Sequence, residues 1–384
     1  MHPSSTVRLQ GLDTLRACAI VLVLMSHYMG FVSHAPTFGA LGEIGWAGVD
    51  LFFVLSGYLI GNQLLGPVAR GEAWSPTTFA MRRLLRTLPN YYVVLAVYLL
   101  MPHSVIAGKS AAPTWQMLTF TQNIGLAYGQ TFSHSWSLCI EEQFYVVLPL
   151  AVLALARWGR SVHLAWCVLA GAIALGVTVR AVAMLRDGHD AFAAEVYYAT
   201  LCRFGGLLPG VAIAMVKNFH PAAFARLLRH GNALFLAGLA VTAVAPWCVQ
   251  NGLPNAFAAT TFVFPFVAIG FALLTCAALS PQCLLNRVRI PGAASLALWS
   301  YAVYLVHKPV FMAIRPQAER LGIDTGAPLS VLAIMGLGVF GGWLLYRCVE
   351  TPFMRLRDRW YPVQRTQPEQ RPPVGFTMAG NRTS

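Results

Sequence analysis

The feature that most constrains this chain is a series of apolar runs, each about 18 or more residues long. Each run is long enough to cross a hydrocarbon layer of roughly 30 Å as a helix. Read between polar or Pro/Gly breaks, they fall at roughly 12–33, 45–64, 88–106, 136–155, 162–182, 196–216, 232–250, 257–279, 295–314 and 328–347. The fold class that follows is all-α, a polytopic integral membrane helix bundle of about ten transmembrane helices. Composition agrees: hydrophobic residues make up 57% of the 384 and charged residues 11%, against about 25% charged in ordinary soluble domains.

A formal net charge of +13 would suit a nucleic-acid binder. The arginines, however, sit between apolar runs and do not interleave with a polar stacking surface, so no nucleic-acid partner is expected. The excess follows positive-inside bias instead. With the N-terminus cytoplasmic, the inner segments hold twenty Lys and Arg and the outer segments five, Lys109, Arg180, Arg186, Arg315 and Arg320, which puts both termini inside. The eight cysteines lie mostly within apolar runs, without framework or metal-like spacing, so neither structural disulfides nor a metal site is expected. The first run continues to about Val32 without a small-residue cleavage site, the pattern of a retained signal-anchor helix. The longest outer segment, about 107–135, carries Trp115, Phe120, Gln122, Asn123 and Tyr128, ends in His134, and is expected to dip partly into the membrane. A transmembrane domain is expected over 1–355 and a disordered basic cytoplasmic tail over 356–384, rich in Pro, Arg and Gln. No duplicated half with matched broken helices, as many secondary transporters have, is evident.

Ionisable groups inside a span are costly enough to suggest function. In the first span Arg16 and His27 are eleven positions apart, close to three helical turns, so they share a face about 16 Å apart along the axis. Arg16 would lie near the cytoplasmic boundary and His27 well inside; a snorkelling arginine and a hydrogen-bonded histidine are the alternative. In the second span Asp50 sits at a depth compatible with pairing to His27, where a carboxylate would orient the imidazole and sharpen it as a base. A helix-start aspartate facing outer water is the other reading. Arg82, Arg83 and Arg86 precede the third span; Arg83 and Arg86 share a helix face, suited either to phosphate or to plain anchoring at the inner boundary. In the fourth span Glu141 and Glu142 point about 100° apart, available for acid–base work or for an ion pair with Arg203 or another intramembrane cation. Arg203 in the sixth span and His307-Lys308-Pro309 in the ninth complete the set, with Pro309 expected to break or kink its helix and free nearby carbonyls.

Together these segments resemble the membrane-bound acyltransferase-3 family. The matching pieces, in the family's order, are Arg16 and His27 with ten residues between them, Gly48-Val-Asp-Leu-Phe-Phe-Val-Leu-Ser-Gly-Tyr-Leu-Ile60, and Arg83-Leu-Leu-Arg86 with Pro89 and Tyr91. Then follow Ser135-Trp-Ser-Leu-Cys-Ile-Glu-Glu-Gln-Phe-Tyr145, Ser300-Tyr-Ala-Val-Tyr-Leu-Val-His307-Lys-Pro309 and Tyr346-Arg-Cys-Val-Glu350-Thr-Pro352. The resemblance covers about residues 10 to 353. It implies a ten-helix O-acyltransferase that takes an acyl group, by family default acetyl, from acyl-CoA on the cytoplasmic side and passes it to a hydroxyl of a surface or exported glycan. It further implies that Arg83 and Arg86 bind the CoA phosphates, with Arg16 assisting. His27 would be base or transient acyl carrier, Glu141 or Glu142 a support, and Trp136, Arg203 and His307 contacts to substrate. Implied partners are a glycan or lipid-linked glycan, membrane lipids and polysaccharide-assembly proteins, in a bacterial inner membrane. One departure stands out: Phe204-Gly205-Gly206 follows Arg203 where relatives often carry an acid, whose part would fall to Glu195 or Glu142 or be dispensable. Some relatives also carry an outer hydrolase-like domain; without one, a second step would need another protein.

CoA at the inner face with its thioester reaching toward His27 follows from the depth difference between Arg16 and His27. Two rival readings stand beside glycan acylation. One is acylation of a small lipophilic acceptor such as a macrolide; the other is proton-coupled transport, since intramembrane Arg, His and Glu also build such sites.

Overall fold

A computed structural model describes residues 10–101, 112–126, 129–159, 161–245, 247 and 256–362. The principal helices are α1 (Gln10–Tyr28), α2 (Ala47–Ala69), α3 (Pro76–Leu100), α4 (Trp136–Ala154), α5 (Val162–Asp187) and α6 (Leu208–Phe219). They continue with α7 (Gly231–Thr242), α8 (Phe257–Leu279), α9 (Ala293–Arg320), α10 (Pro328–Leu345) and α11 (Thr351–Trp360). No strand occurs among the described residues.

Seven helical stretches are long and apolar enough to cross a membrane: Gln10–Ser33, Ala47–Ala69, Ser133–Arg157, Val162–Asp187, Phe257–Leu279, Ala293–Arg320 and Pro328–Trp360. They answer to seven of the ten expected spans. The other three differ for identifiable reasons. α3 begins at Pro76, well before residue 88, because the Ser75 side chain accepts a hydrogen bond from the Thr78 N–H at 3.1 Å and Pro76 fits the first turn. Arg82, Arg83 and Arg86 therefore lie in helix. The expected span 196–216 is broken into a π turn (Phe192–Tyr197), a single helical turn (Thr200–Phe204) and α6. Gly205 and Gly206 are poor helix formers, and Pro209 suits a first turn rather than an interior. α7 ends at Thr242, and residues 246 and 248–250 of the expected seventh span lie outside the described residues, as do 102–111 and the tail beyond 362. α9 is not broken at Pro309 but runs through it and through Pro316. α11 continues to Trp360, past the expected domain end at 355. The seven described cysteines are all free.

Two kinds of helix result. In α2 and α8, 67% of the most apolar window is buried in protein, against 28% in α5 and in the stretch containing α10. The outer helices present Leu175, Val182, Leu329 and Leu332 outward, as a lipid-facing surface requires. α2 is the hub, packing against α1, α4, α6 and α8, while α9 lies against α1, α3 and α10. Small residues allow the closest approach: a Cβ on Gly57 would collide with the Leu207 carbonyl, and one on Gly210 with the Val54 carbonyl. The outer segment is folded inward before α4. Gln122 Nε2 donates to Ser135 Oγ at 2.7 Å, and Asn123 Nδ2 to the Tyr198 carbonyl at 3.0 Å. Residues 131–140 are buried throughout.

Candidate active site

α3 carries three arginines at one end of the bundle and sends them two ways. Arg82 turns outward to α11, donating to the Tyr361 carbonyl and lying 3.2 Å from the Asp358 carboxylate. Arg83 turns inward, with Nη2 donating to Gln63 Oε1 at 2.8 Å and its guanidinium 5.4 Å from the centre of the Tyr145 ring. Arg83 and Arg86, with Arg16 of α1, line a basin of about 500 Å³ that also takes in Arg70, Arg82 and Arg357. Its one carboxylate, Glu72, is bonded to Arg70 at 2.8 Å and holds that guanidinium above its ordinary pKa. Guanidiniums so concentrated present forked donors that match phosphate oxygens.

Arg16, Arg83, Arg86 and Leu59 also line a narrower space of about 90 Å³ that continues from the basin. Although they point about 100° apart, Glu141 and Glu142 both face this neck, with Ser56, Tyr145 and Tyr304. Glu141 accepts from Ser56 Oγ at 3.0 Å and from Tyr145 OH at 2.9 Å. Its hydrogen-bond partners are these hydroxyls, and the carboxylate beside Arg203 is that of Asp50. The neck ends at Phe53 and Tyr304. Phe53 meets Trp136 edge-on at 5.9 Å, and the Tyr304 ring lies 5.9 Å from both His134 and His307.

Beyond this partition lies a chamber of about 470 Å³, lined by His27, Phe31, Trp46, Ser133, His134, Trp136, Phe192, Tyr197, Tyr198 and Phe264. His27 Nδ1 is 2.6 Å from His307 Nε2, and the two rings meet edge to edge, with centres 4.9 Å and planes 17° apart. His307 Nδ1 is 3.0 Å from the Val303 carbonyl. These contacts assign the protons. A carbonyl only accepts, so His307 Nδ1 carries the hydrogen and its Nε2 is a lone pair. His27 Nδ1–H must then be the donor between the rings, which leaves His27 Nε2 as a lone pair, able to act as base or nucleophile.

The chain enters α4 through Phe132, whose φ of 58° is in the left-handed region that side-chain-bearing residues seldom occupy. This turn delivers Ser133 and His134 to the chamber wall. Lys308 Nζ donates to Ser133 Oγ at 2.9 Å and lies 4.8 Å from the centre of the Phe31 ring. Tyr304 OH donates to the His134 carbonyl at 2.5 Å and is 2.7 Å from Ser137 Oγ. His134 Nε2 is 3.1 Å from the Leu305 carbonyl. Pro309 explains why that carbonyl is open: it has no N–H to give to the residue four positions earlier. The same relation recurs in α8, where Pro265 frees the Thr261 carbonyl and Arg180 Nε donates to it at 3.1 Å.

Asp50 does not pair with His27. It faces α6 and the turn before it, with Oδ1 2.9 Å from Arg203 Nη2, and both side chains are 1% exposed. The approach is a charge contact without an aligned hydrogen bond. Arg203 is enclosed by Phe264, Trp136, Tyr197 and Phe53, at 4.1, 5.2, 5.3 and 5.7 Å from the ring centres. It therefore stands behind rings that line the chamber and is not itself among the lining residues. The acid that partners Arg203 comes from α2; Glu195 pairs with Arg186 at 2.6 Å. Of the residues singled out in the sequence, Arg16, Arg83, Arg86, Glu141 and Glu142 come together at the basin and neck. His27, His307 and Trp136 come together at the chamber, while Asp50 and Arg203 stand apart as a buried pair. Gln63, Tyr304, Ser133 and His134 were not anticipated as site residues. Two of them carried a signal: Tyr304 lies inside the family-like segment Ser300–Pro309, and His134 abuts the segment Ser135–Tyr145.

A family profile described as an acyltransferase domain matches residues 9–347. The chain is 25% identical over 400 residues to the peptidoglycan O-acetyltransferase OatA of Listeria monocytogenes, an alignment covering 93% of this chain and 59% of that protein. It is 28% identical over 331 residues to YrhL of Bacillus subtilis, a provisionally named peptidoglycan O-acetyltransferase, covering 80% of this chain and 49% of the relative. The chain thus spans about half to three fifths of the length of these relatives. No solved structure matches it.

Proposed function

Because this chain belongs to the acyltransferase-3 family, we propose that it is a multi-pass membrane O-acetyltransferase that moves acetyl from acetyl-CoA to a hydroxyl of a cell-wall or surface glycan. The names of its relatives, which act on peptidoglycan, support that class of acceptor. The basin is the donor end, on the cytoplasmic side, where Arg16, Arg83 and Arg86 take the CoA phosphates. The pantetheine arm follows the neck past Glu141 and Tyr145, bringing the thioester to the partition at Tyr304 and Phe53. The glycan occupies the chamber, its C–H faces against Trp46, Trp136 and Tyr197.

The observation that carries this reading is the hydrogen-bonded series from His27 through His307 to the Val303 carbonyl. It leaves His27 Nε2 unprotonated. His27 Nε2 takes the proton of the acceptor hydroxyl as its oxygen attacks the thioester carbonyl; the C–S bond breaks, and the proton passes to the CoA thiolate. A route through an acyl-imidazole uses the same lone pair as nucleophile. Glu141 and Glu142 belong to the thioester's approach on this reading, not to the imidazole's support.

The test is His27→Ala in purified protein, with acetyl-CoA and a soluble peptidoglycan fragment. Transfer should vanish while the protein keeps its thermal transition and its affinity for CoA. Transfer at the wild-type rate would end the assignment. The aromatic wall also suits a small lipophilic acceptor; comparing products extracted from cells with and without the protein separates the two.

A further inference from the structure

Resting on that reading, we propose that His134 is a recognition residue for the acceptor, its Nδ1 lone pair accepting a hydrogen bond from a second O–H or N–H of the glycan, distinct from the hydroxyl that is acetylated. The argument begins with the proton on the other nitrogen. His134 Nε2 lies 3.1 Å from the Leu305 carbonyl, which Pro309 deprives of its helical partner. A carbonyl has no proton to give, so Nε2 carries one, and in the neutral ring Nδ1 is an acceptor only.

That Nδ1 is buried and has no partner among the described residues, while the side chain lines the chamber and the residue is 3% exposed. Buried polar atoms are seldom left unpaired, and one at a cavity wall is complete only when the cavity is filled. The ring is also held in place. Tyr304 OH ties down the His134 carbonyl, and Phe132, His307 and Tyr304 surround the imidazole at 5.3, 5.6 and 5.9 Å between ring centres. His307 stands between two imidazoles, His27 with centres 4.9 Å away and His134 at 5.6 Å. Two rings of the chamber wall therefore carry acceptor lone pairs, His27 Nε2 and the enclosed His134 Nδ1, the latter ring 6.0 Å from that of Tyr98, whose hydroxyl is also without a partner among the described residues. His27 Nε2 serves the reacting hydroxyl; His134 Nδ1 asks for one more donor on the same ligand.

A wall that hydrogen-bonds a substrate hydrogen rejects analogues lacking it, whereas apolar walls discriminate weakly. The experiment uses the full-length protein with acetyl-CoA, a soluble peptidoglycan tetrasaccharide, and a set of analogues each missing one O–H or N–H. The wild type should lose about tenfold or more in kcat/KM on at least one analogue whose missing group is not the acetylated position. His134→Phe, which keeps the ring packing and removes the lone pair, should raise KM for the parent tetrasaccharide about tenfold. It should leave KM for acetyl-CoA unchanged and use parent and analogue alike. Equal use of every analogue by the wild type would overturn the inference, and this holds even if His134→Phe does not fold. Undiminished preference in a folded His134→Phe would overturn it too, without touching the assignment of His27. Absence of transfer to any glycan by the wild type would bring down the proposed function as well.

Discussion

The basin gathers six guanidiniums, with Glu72 the one carboxylate among its described lining residues and Asp358 paired to two of the six at its rim, whereas the chamber, of nearly equal volume, is walled by aromatic rings and two imidazoles. Charge acts at a distance and tolerates inexact geometry, so an arginine-lined basin can collect a mobile polyanion from water. Lone pairs on fixed rings act only at contact, and their sign depends on which nitrogen holds the proton. On the proposed reading, one end attracts a common donor and the other inspects an acceptor. The neck is much smaller than either, so on that reading the two substrates meet only at a short reactive segment.

This contrast is broken most sharply at His27. His27→Ala should cost about a hundredfold to ten-thousandfold in kcat, the range of a lost general base, with donor KM unchanged; a shift in donor KM instead would mean that the two ends are not separate. Next comes the buried pair behind the chamber wall. Asp50→Leu or Arg203→Met alone should lose about 3–5 kcal/mol of stability, because each leaves an uncompensated buried charge. The double variant should regain most of it and keep measurable transfer, read as thermal transition in detergent and as product formed. A stable but inactive double variant would move the pair into the chemistry. Smaller again, Arg83→Ala or Arg86→Ala should each weaken acetyl-CoA binding by about 1.5–3 kcal/mol, diminishing with added salt, with acceptor KM unmoved. The smallest effect belongs to Arg82→Ala, about 0.2–1 kcal/mol on donor binding, since that side chain is committed to α11 at the rim. An effect as large as that of Arg83 would show that α11 releases it.

Much of this was legible in the chain. Seven spans follow from run length. The pairing of Arg83 with Arg86 needed only their spacing, and both now line the same basin. What escaped depended on tertiary choices. Asp50 stood at the right depth for His27, but depth along a helix does not say which neighbour an aspartate faces, and α2 turns it toward Arg203. His307 took the orienting part from a helix far along the chain. The break at Gly205-Gly206 was visible as composition yet hidden inside an apolar run. His134 depends on the left-handed Phe132, a conformation that phenylalanine does not advertise.

Pro309 touches neither histidine by any contact described, yet it decides what His134 offers a ligand. Restoring an N–H there, as in Pro309→Ala, would give the Leu305 carbonyl a helical partner and release the imidazole to take its hydrogen on the other side. The chamber would then donate where it had accepted, and sugar preference would be reprogrammed from a backbone position, with no side chain in the binding surface replaced.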